Sequence, residues 1–430
     1  MKKLVTGIGP IQGIAMTVTT FVGTGLMVLP ALSVSIAEAQ TAYSWIITTL
    51  MIIPIAIIFA LLGARFPHAG GASHYIGQAF NSSLQNATGW LFLSILLIGP
   101  AVAVKIAANY LAVFLGIDSN IENSTSHYKM YYLYLGIFVL FLAFGLAGIQ
   151  TSAKAQTGIV VVMLAVIIWL AIKGDILTTI ELVKAPTSAP EWLHTFNAIS
   201  VVFWCFLGIE VMAHMGAEFR NPKRDFPIAM IGGISLVILC YLTIVLLIFS
   251  YKSYGSEPIN NQSIAILVSH IAGEQSSRWV ALGAFVIAFA NVSIYLLGFS
   301  RMVKAMSNNG ALPIQLSKLS KKGTPTNAVI IVNIICAVSL LVSEVFQLKM
   351  ESLIEMTNGS FLIIYTLASF AAWNLLKGKV RYLSVVSVLS CFFIALQIGQ
   401  NMFFALLIIS LAYGLPLSTN KLIKKKSKKA

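Results

Sequence analysis

An all-α integral membrane protein of about twelve spans, built on an inverted five-helix repeat with two interrupted helices, is the fold class this sequence predicts. Three observations carry it. Hydrophobic residues make up 58% of the 430 residues and charged ones 10%, with a mean hydropathy of +0.88, a composition outside the range of soluble domains. The apolar residues fall in runs of roughly 20, the length that crosses a bilayer as a helix. Two of those runs, Val18 to Pro30 and Val202 to His214, carry glycine at their centres.

Taken in order, the runs are 10–37, 42–62, 86–116, 130–149, 155–172, 193–217, 227–250, 279–306, 327–343, 352–375, 382–397 and 400–417. The first has no small-residue cleavage site behind a short apolar stretch and reads as a retained helix. An even number of spans puts both termini on one side. With that side taken as the cytoplasm, most of the 28 lysines and arginines fall inside and most of the 14 acidic residues outside, as the positive-inside rule requires. The net charge of +14 therefore reads as a topology signal, with no nucleic acid implied. The basic tail 418–430, which includes Lys421 to Ala430, is expected in the cytoplasm against anionic lipid headgroups. Four single cysteines, Cys205, Cys240, Cys336 and Cys391, and six scattered histidines give neither a disulfide framework nor metal-ligand spacing. Phosphate-binding, dinucleotide and hydrolase motifs are lacking, so neither an ATP-driven pump nor an enzyme is expected, and no cofactor.

A glycine break in a spanning helix frees backbone groups that hydrocarbon cannot satisfy, so it must line a cavity or meet a ligand. Gly23 and Gly25 mark the first break and Gly208 the second, with Glu210 two residues on. The breaks lie five spans apart. Five is odd, so the second set of helices is inserted upside down relative to the first, giving repeats over about 10–172 and 193–375 and two extra helices over about 382–417, all in one transmembrane domain. The outer half of the first span starts near Thr24 and Gly25 and aims free N–H groups at the midplane, which suits a carboxylate. The outer half of the sixth ends near Trp204 to Leu207 and presents carbonyls at the same depth, which suits an ammonium group. Together they fit an α-amino acid zwitterion.

Three blocks carry a family resemblance: VGTGLMVLPALS (Val22 to Ser33), RFPHAGGASHYIGQAF (Arg65 to Phe80) and FWCFLGIEVMAHMGAEFRNPKRDFP (Phe203 to Pro227). With SRMVKAMSNNGALP (Ser300 to Pro313) they resemble the amino acid–polyamine–organocation superfamily of transporters, and within it most closely the bacterial exporters of methionine and branched-chain amino acids. The resemblance implies a substrate carboxylate on the amides of Thr24 and Gly25, an ammonium group on the carbonyls of Phe21, Trp204 and Leu207, and a hinge at Glu210. Some proton-coupled relatives place a lysine in the fifth helix where a sodium ion would otherwise sit. Here Met163 aligns with it, so that device is not expected.

Lys105 lies roughly 16 Å from the outer end of the third span at 1.5 Å per residue, too deep to snorkel. A charge there costs about 2.5–3.5 kcal/mol on insertion scales, and Lys105 and Glu210 are the candidate coupling or gating residues. Trp204, Phe206, Ile294, Tyr295 and Phe361 are the candidate pocket side chains, and Asn291 and Ser293 candidates for holding Na⁺, a weaker expectation than H⁺. With no second buried acid, the pocket favours a neutral, apolar substrate side chain. The expected function is efflux of methionine, leucine, isoleucine and valine across the inner membrane of a bacterium by alternating access, driven by protons or exchange. An importer or antiporter of another substrate in the superfamily, and an amino acid sensor using the same site, stand as alternatives.

Overall fold

The computed structural model describes residues 7–117, 124–147, 149–321, 323–348 and 350–414. The basic tail lies outside the described residues. The first span is interrupted as expected, α1 (Pro10–Phe21) giving way at Val22 and Gly23 to α2 (Thr24–Ala37). The second is α3 (Thr41–Arg65), followed by a short helix, α4 (Gly71–Ala79). The third is α5 (Ser82–Leu96) and α6 (Gly99–Leu115), and the fourth and fifth are α7 (Ser124–Ala147) and α8 (Ile149–Lys173). After the single turn α9 (Ile176–Ile180) comes the interrupted sixth span, α10 (Ala189–Trp204) and α11 (Ile209–Met215). The seventh is α12 (Pro222–Ser250), followed by α13 (Glu257–Asn261) and α14 (Ser263–Ala272), and the eighth is α15 (Glu274–Asn308). The remaining spans are α16 (Thr326–Val345), α17 (Met350–Leu375), α18 (Leu383–Ile398) and α19 (Met402–Gly414).

Ten continuous helical stretches among the described residues are long and apolar enough to cross a membrane. Two of them, Thr24–Arg65 and Lys379–Gly414, hold helices of two different spans, and with α1 completing the first span the crossings come to about twelve. Val161, Leu239, Leu389 and Phe403 are more than half exposed, as expected where hydrocarbon and not water is the solvent.

Packing follows the offset of five. The first span packs on the seventh (α1 on α12) and the sixth on the second (α10 on α3), while the third and eighth (α6 and α15) pack on each other. The helix after the second span, α4, touches the second half of the sixth (α11) and the tenth (α17). The helix after the seventh, α14, touches the second half of the first (α2) and the fifth (α8). Advancing every span number by five, and returning the sixth to the first and the tenth to the fifth, maps one set of contacts onto the other. That is the signature of two inverted repeats, here visible in packing although the repeats share no obvious residue identity.

The third span departs from the sequence expectation of an unbroken helix over 86–116. It is interrupted at Leu97 and Ile98. Pro100 has no N–H for the carbonyl of Leu96, which breaks the ladder, and beside the break the carbonyl of Leu97 accepts the hydroxyl of Ser339 from α16. A side chain from a neighbouring helix thereby meets one of the backbone groups at the interruption.

Candidate substrate site

The two expected breaks meet. Gly208, at φ +132°, approaches α1 so closely that a Cβ there would stand 2.4 Å from Thr20 Cγ2, so only glycine fits. At the other break a Cβ on Gly23 would fall 2.0 Å from the side chain of Asn291. No side chain caps the start of α2, which leaves the first amides of that helix, at Thr24 and Gly25, turned toward the break. A Cβ on Gly25 would stand 3.1 Å from the Tyr241 hydroxyl and 3.2 Å from Cys205 Sγ.

Beside these breaks lies a cavity of about 40 Å³, room for roughly three waters at about 10–15 Å³ of centre volume each. Of the sequence candidates its wall contains Phe21, Thr24, Gly25, Trp204, Leu207, Asn291, Tyr295 and Phe361. Thr20, Ile95, Gly99, Pro100, Ala103, Val292, Phe299 and Thr357 complete it. The wall carries no Asp, Glu, His, Lys or Arg. Sequence reasoning missed the third-span residues, for which the Gly99–Pro100 pair inside an apolar run was the available signal.

Other candidates are placed elsewhere. Phe206 faces away from the cavity and packs with Trp45 and Tyr241, at ring separations of 6.2 and 6.3 Å. Ile294 is fully buried next to Tyr295 but is not on the cavity wall. Ser293 is also off the wall, its hydroxyl buried without a partner. Phe21 O, expected to face an ammonium group, accepts the Tyr241 hydroxyl at 2.8 Å and the Gly23 amide at 3.0 Å. Trp204 O accepts the amide of Leu207 at 3.1 Å. Trp204 O keeps a second lone pair, whereas both of Phe21 O are taken, and the unwound turn from Cys205 to Leu207 is held by successive short-range backbone bonds.

Glu210 is 1% exposed. Its Oε2 accepts the Gly208 amide at 3.1 Å and the Tyr365 hydroxyl from α17, while Oε1 has no partner. The carboxyl thus closes the second break and links it to the tenth span. Lys105 is not isolated in the membrane. Its Nζ lies 2.8 Å from Glu344 Oε1, both side chains 20% exposed. Glu344 sits one residue before the end of α16, just past the apolar run 327–343. In the fifth span, the residue that reaches the end of α1 is Gln156, whose Oε1 accepts the Thr19 hydroxyl at 2.5 Å. Met163, about two turns farther on, packs among apolar residues of an outer groove.

The site is closed toward the face that carries α4. The amides of Gly7 and Ile8 donate to Glu218 O at 2.9 and 3.2 Å, and the amide of Arg220 returns a bond to Ile8 O at 3.0 Å. Glu218 and Arg301 form an ion pair at 2.8 Å with both side chains 1% exposed. On the opposite face, Tyr110 and Ser263 both donate to Met27 O, at 2.9 and 3.1 Å, and tie the third span and α14 to α2.

A chain of about twelve spans, with a small apolar cavity between two helices broken where backbone groups face it, defines a multi-pass membrane carrier for a small solute. The packing and the breaks specify the architecture, and comparison with known proteins specifies the cargo class. The chain belongs to the amino acid permease family, which it matches over residues 8–423, and it is an amino acid transporter. It is 34% identical over 416 residues to the L-methionine/branched-chain amino acid exporter YjeH of Escherichia coli K12, covering 95% of this chain and 96% of that one. It is 25% identical over 381 residues to the uncharacterized amino acid permease YecA of Bacillus subtilis 168, covering 88% and 87%. It is also 22% identical over 347 residues to the branched-chain amino acid permease BcaP of Lactococcus lactis, covering 74% and 71%.

Proposed function

We propose that this protein exports neutral, apolar L-amino acids, namely methionine, leucine, isoleucine and valine, by alternating access, using the proton gradient or exchange as its energy source. The observation that carries the reading is the cavity wall: two helix breaks supply backbone groups for a zwitterion, and Trp204, Leu207, Tyr295, Phe299 and Phe361 supply apolar surface with no charge beside it. A guanidinium or second carboxylate on the substrate would be buried there unpaired, at a cost of several kcal/mol. The Escherichia coli relative is an exporter of L-methionine and branched-chain amino acids and the Lactococcus lactis relative a branched-chain amino acid permease, which supports this substrate range. The carboxylate would sit on the amides of Thr24 and Gly25, and the ammonium group on the carbonyls of Phe21, Trp204 and Leu207, that of Phe21 exchanging one of its two present donors for it.

The cavity is smaller than an amino acid, so binding must widen it, and the closed α4 face makes the opposite side the route by which it opens. In this reading the protein lies in the inner membrane of a bacterium with both termini in the cytoplasm, and the α4 face is the cytoplasmic one. The repeats run over about 10–172 and 193–375. Glu210, buried and bonded across the second break, would carry the coupled proton. Lys105, paired across to Glu344 at the end of the ninth span, would act in gating.

The test is flux through purified protein in proteoliposomes. Vesicles loaded with methionine should accumulate labelled leucine by exchange, methionine and leucine should compete with each other, and arginine, lysine and glutamate should compete at least tenfold less well. Equal competition by arginine would refute the apolar pocket. A protein that binds methionine but moves none across the membrane would be a sensor.

A further inference from the structure

The end of α1 poses an electrostatic problem inside the membrane. The last four carbonyls of a helix have no intrahelical donor, and they carry the negative end of its dipole. Val18 O accepts Val22 N at 2.7 Å, and Phe21 O is served by Tyr241 and Gly23. The two between them are served by one group: Asn291 Nδ2, from α15, donates to Thr19 O at 2.8 Å and to Thr20 O at 2.6 Å. The orientation of the carboxamide follows from chemistry, because both neighbours are carbonyl oxygens and only the NH₂ side can face two acceptors. Asn291 is 5% exposed. The space it fills is kept open by Gly23, where a Cβ would lie 2.0 to 2.3 Å from three of its side-chain atoms.

Converging buried carbonyl oxygens at the negative end of a helix are the surroundings that a hard cation takes up. Here the position is filled by N–H donors fixed to the eighth span. We infer that the Asn291 carboxamide is a built-in, uncharged substitute for a coupling cation, clamping α15 to the end of α1 and making transport independent of Na⁺. The inference rests on the reading of this chain as an amino acid transporter. A cation would arrive and leave with each cycle, whereas the amide is tethered, so the clamp is broken only when α1 and α15 move apart. Asn291 is thus a positioning residue acting through the first break.

Exchange of labelled methionine by the full chain in proteoliposomes should agree within twofold in Na⁺, K⁺ and choline media at one pH. A tenfold or greater fall when Na⁺ is removed overturns the inference. The variants Asn291→Asp and Asn291→Ser uncover the carbonyl pair. Their exchange in choline should fall at least tenfold and recover severalfold in Na⁺ or Li⁺, while the wild type stays indifferent. Full activity of both variants in choline overturns the inference, as does a loss that neither cation relieves, which would mark a purely structural bond. The melting temperature in detergent separates this question from transport: Na⁺ should raise it in the variants and not in the wild type, because a ligand that binds the folded state stabilises it. If the wild type moves no amino acid in any medium, the transporter reading fails, and the melting experiment still decides the clamp.

Discussion

Two residues at the breaks have separate tasks in the proposed site, Gly25 in binding and Glu210 in coupling. Gly25 has neighbours on both sides, Tyr241 at 3.1 Å and Cys205 at 3.2 Å from where a Cβ would stand, so a branched side chain there must push into the amide surface proposed for the substrate carboxylate. Gly25→Val is expected to weaken methionine binding at least tenfold while the protein stays folded in the membrane, as read by labelled-ligand binding alongside the melting temperature. Unchanged affinity would remove the first break from the site. Glu210 differs in kind, because the wall of the cavity does not include it. Its Oε2 holds the Gly208 amide and the Tyr365 hydroxyl, bonds that a carboxamide oxygen can also accept. Glu210→Gln should therefore keep substrate binding within about threefold, yet lose the acceleration of flux by a pH gradient. Gradient-driven flux at the wild-type rate in that variant would place the proton elsewhere or leave exchange as the mechanism.

Among the elements, α4 and the turn before it bring together residues that are far apart in sequence. His68 and His74 stack with ring centroids 4.0 Å apart. His214, at the end of α11, lies beside them with its Nδ1 3.2 Å from Ala69 O. Burial lowers the pKa of His68, with Lys304 adding to the shift, and burial with the His68 charge lowers that of His74 to about 4. The charged groups around this patch are Lys304 and the Glu218–Arg301 pair. A histidine whose folded pKa is depressed favours the packed state above its ordinary value near 6.5, and that contribution is lost as the pH falls toward the folded value. The melting temperature should accordingly drop as pH goes from about 7.5 to about 5. The drop should be smaller in His74→Phe, which keeps the stacking but cannot charge. An identical drop in the variant would show that other groups carry the pH dependence.

The spans and the two glycine breaks were legible because apolar run length and glycine position are local properties of the chain. The third-span break was overlooked because hydropathy does not register a missing N–H, although Pro100 announced it. The partners of Lys105 and Phe206, and the histidine patch, were not legible at all. Glu344 is more than 200 residues from Lys105, Tyr241 and Trp45 flank Phe206 from other spans, and no periodicity in one helix reports which residue of another helix it meets.

For the molecule as a whole, the inverted repeat explains why one site serves two faces. Because α4 braces α11 as α14 braces α2, each break has a short helix packed on the half-helix that must move to admit or release substrate. With the α4 face closed and a cavity of about 40 Å³, the site has to widen before it can take an amino acid. The central claim is that the backbone at the two breaks recognises the charged ends of the substrate while the apolar wall tolerates several side chains. The most direct measurement is competition against labelled methionine by leucine, by methionine methyl ester, which lacks the carboxylate, and by N-acetylmethionine, which lacks the ammonium group. The account predicts that leucine competes within about tenfold of methionine and that each blocked analogue loses more than tenfold. Competition by either analogue as effective as that by methionine would contradict it.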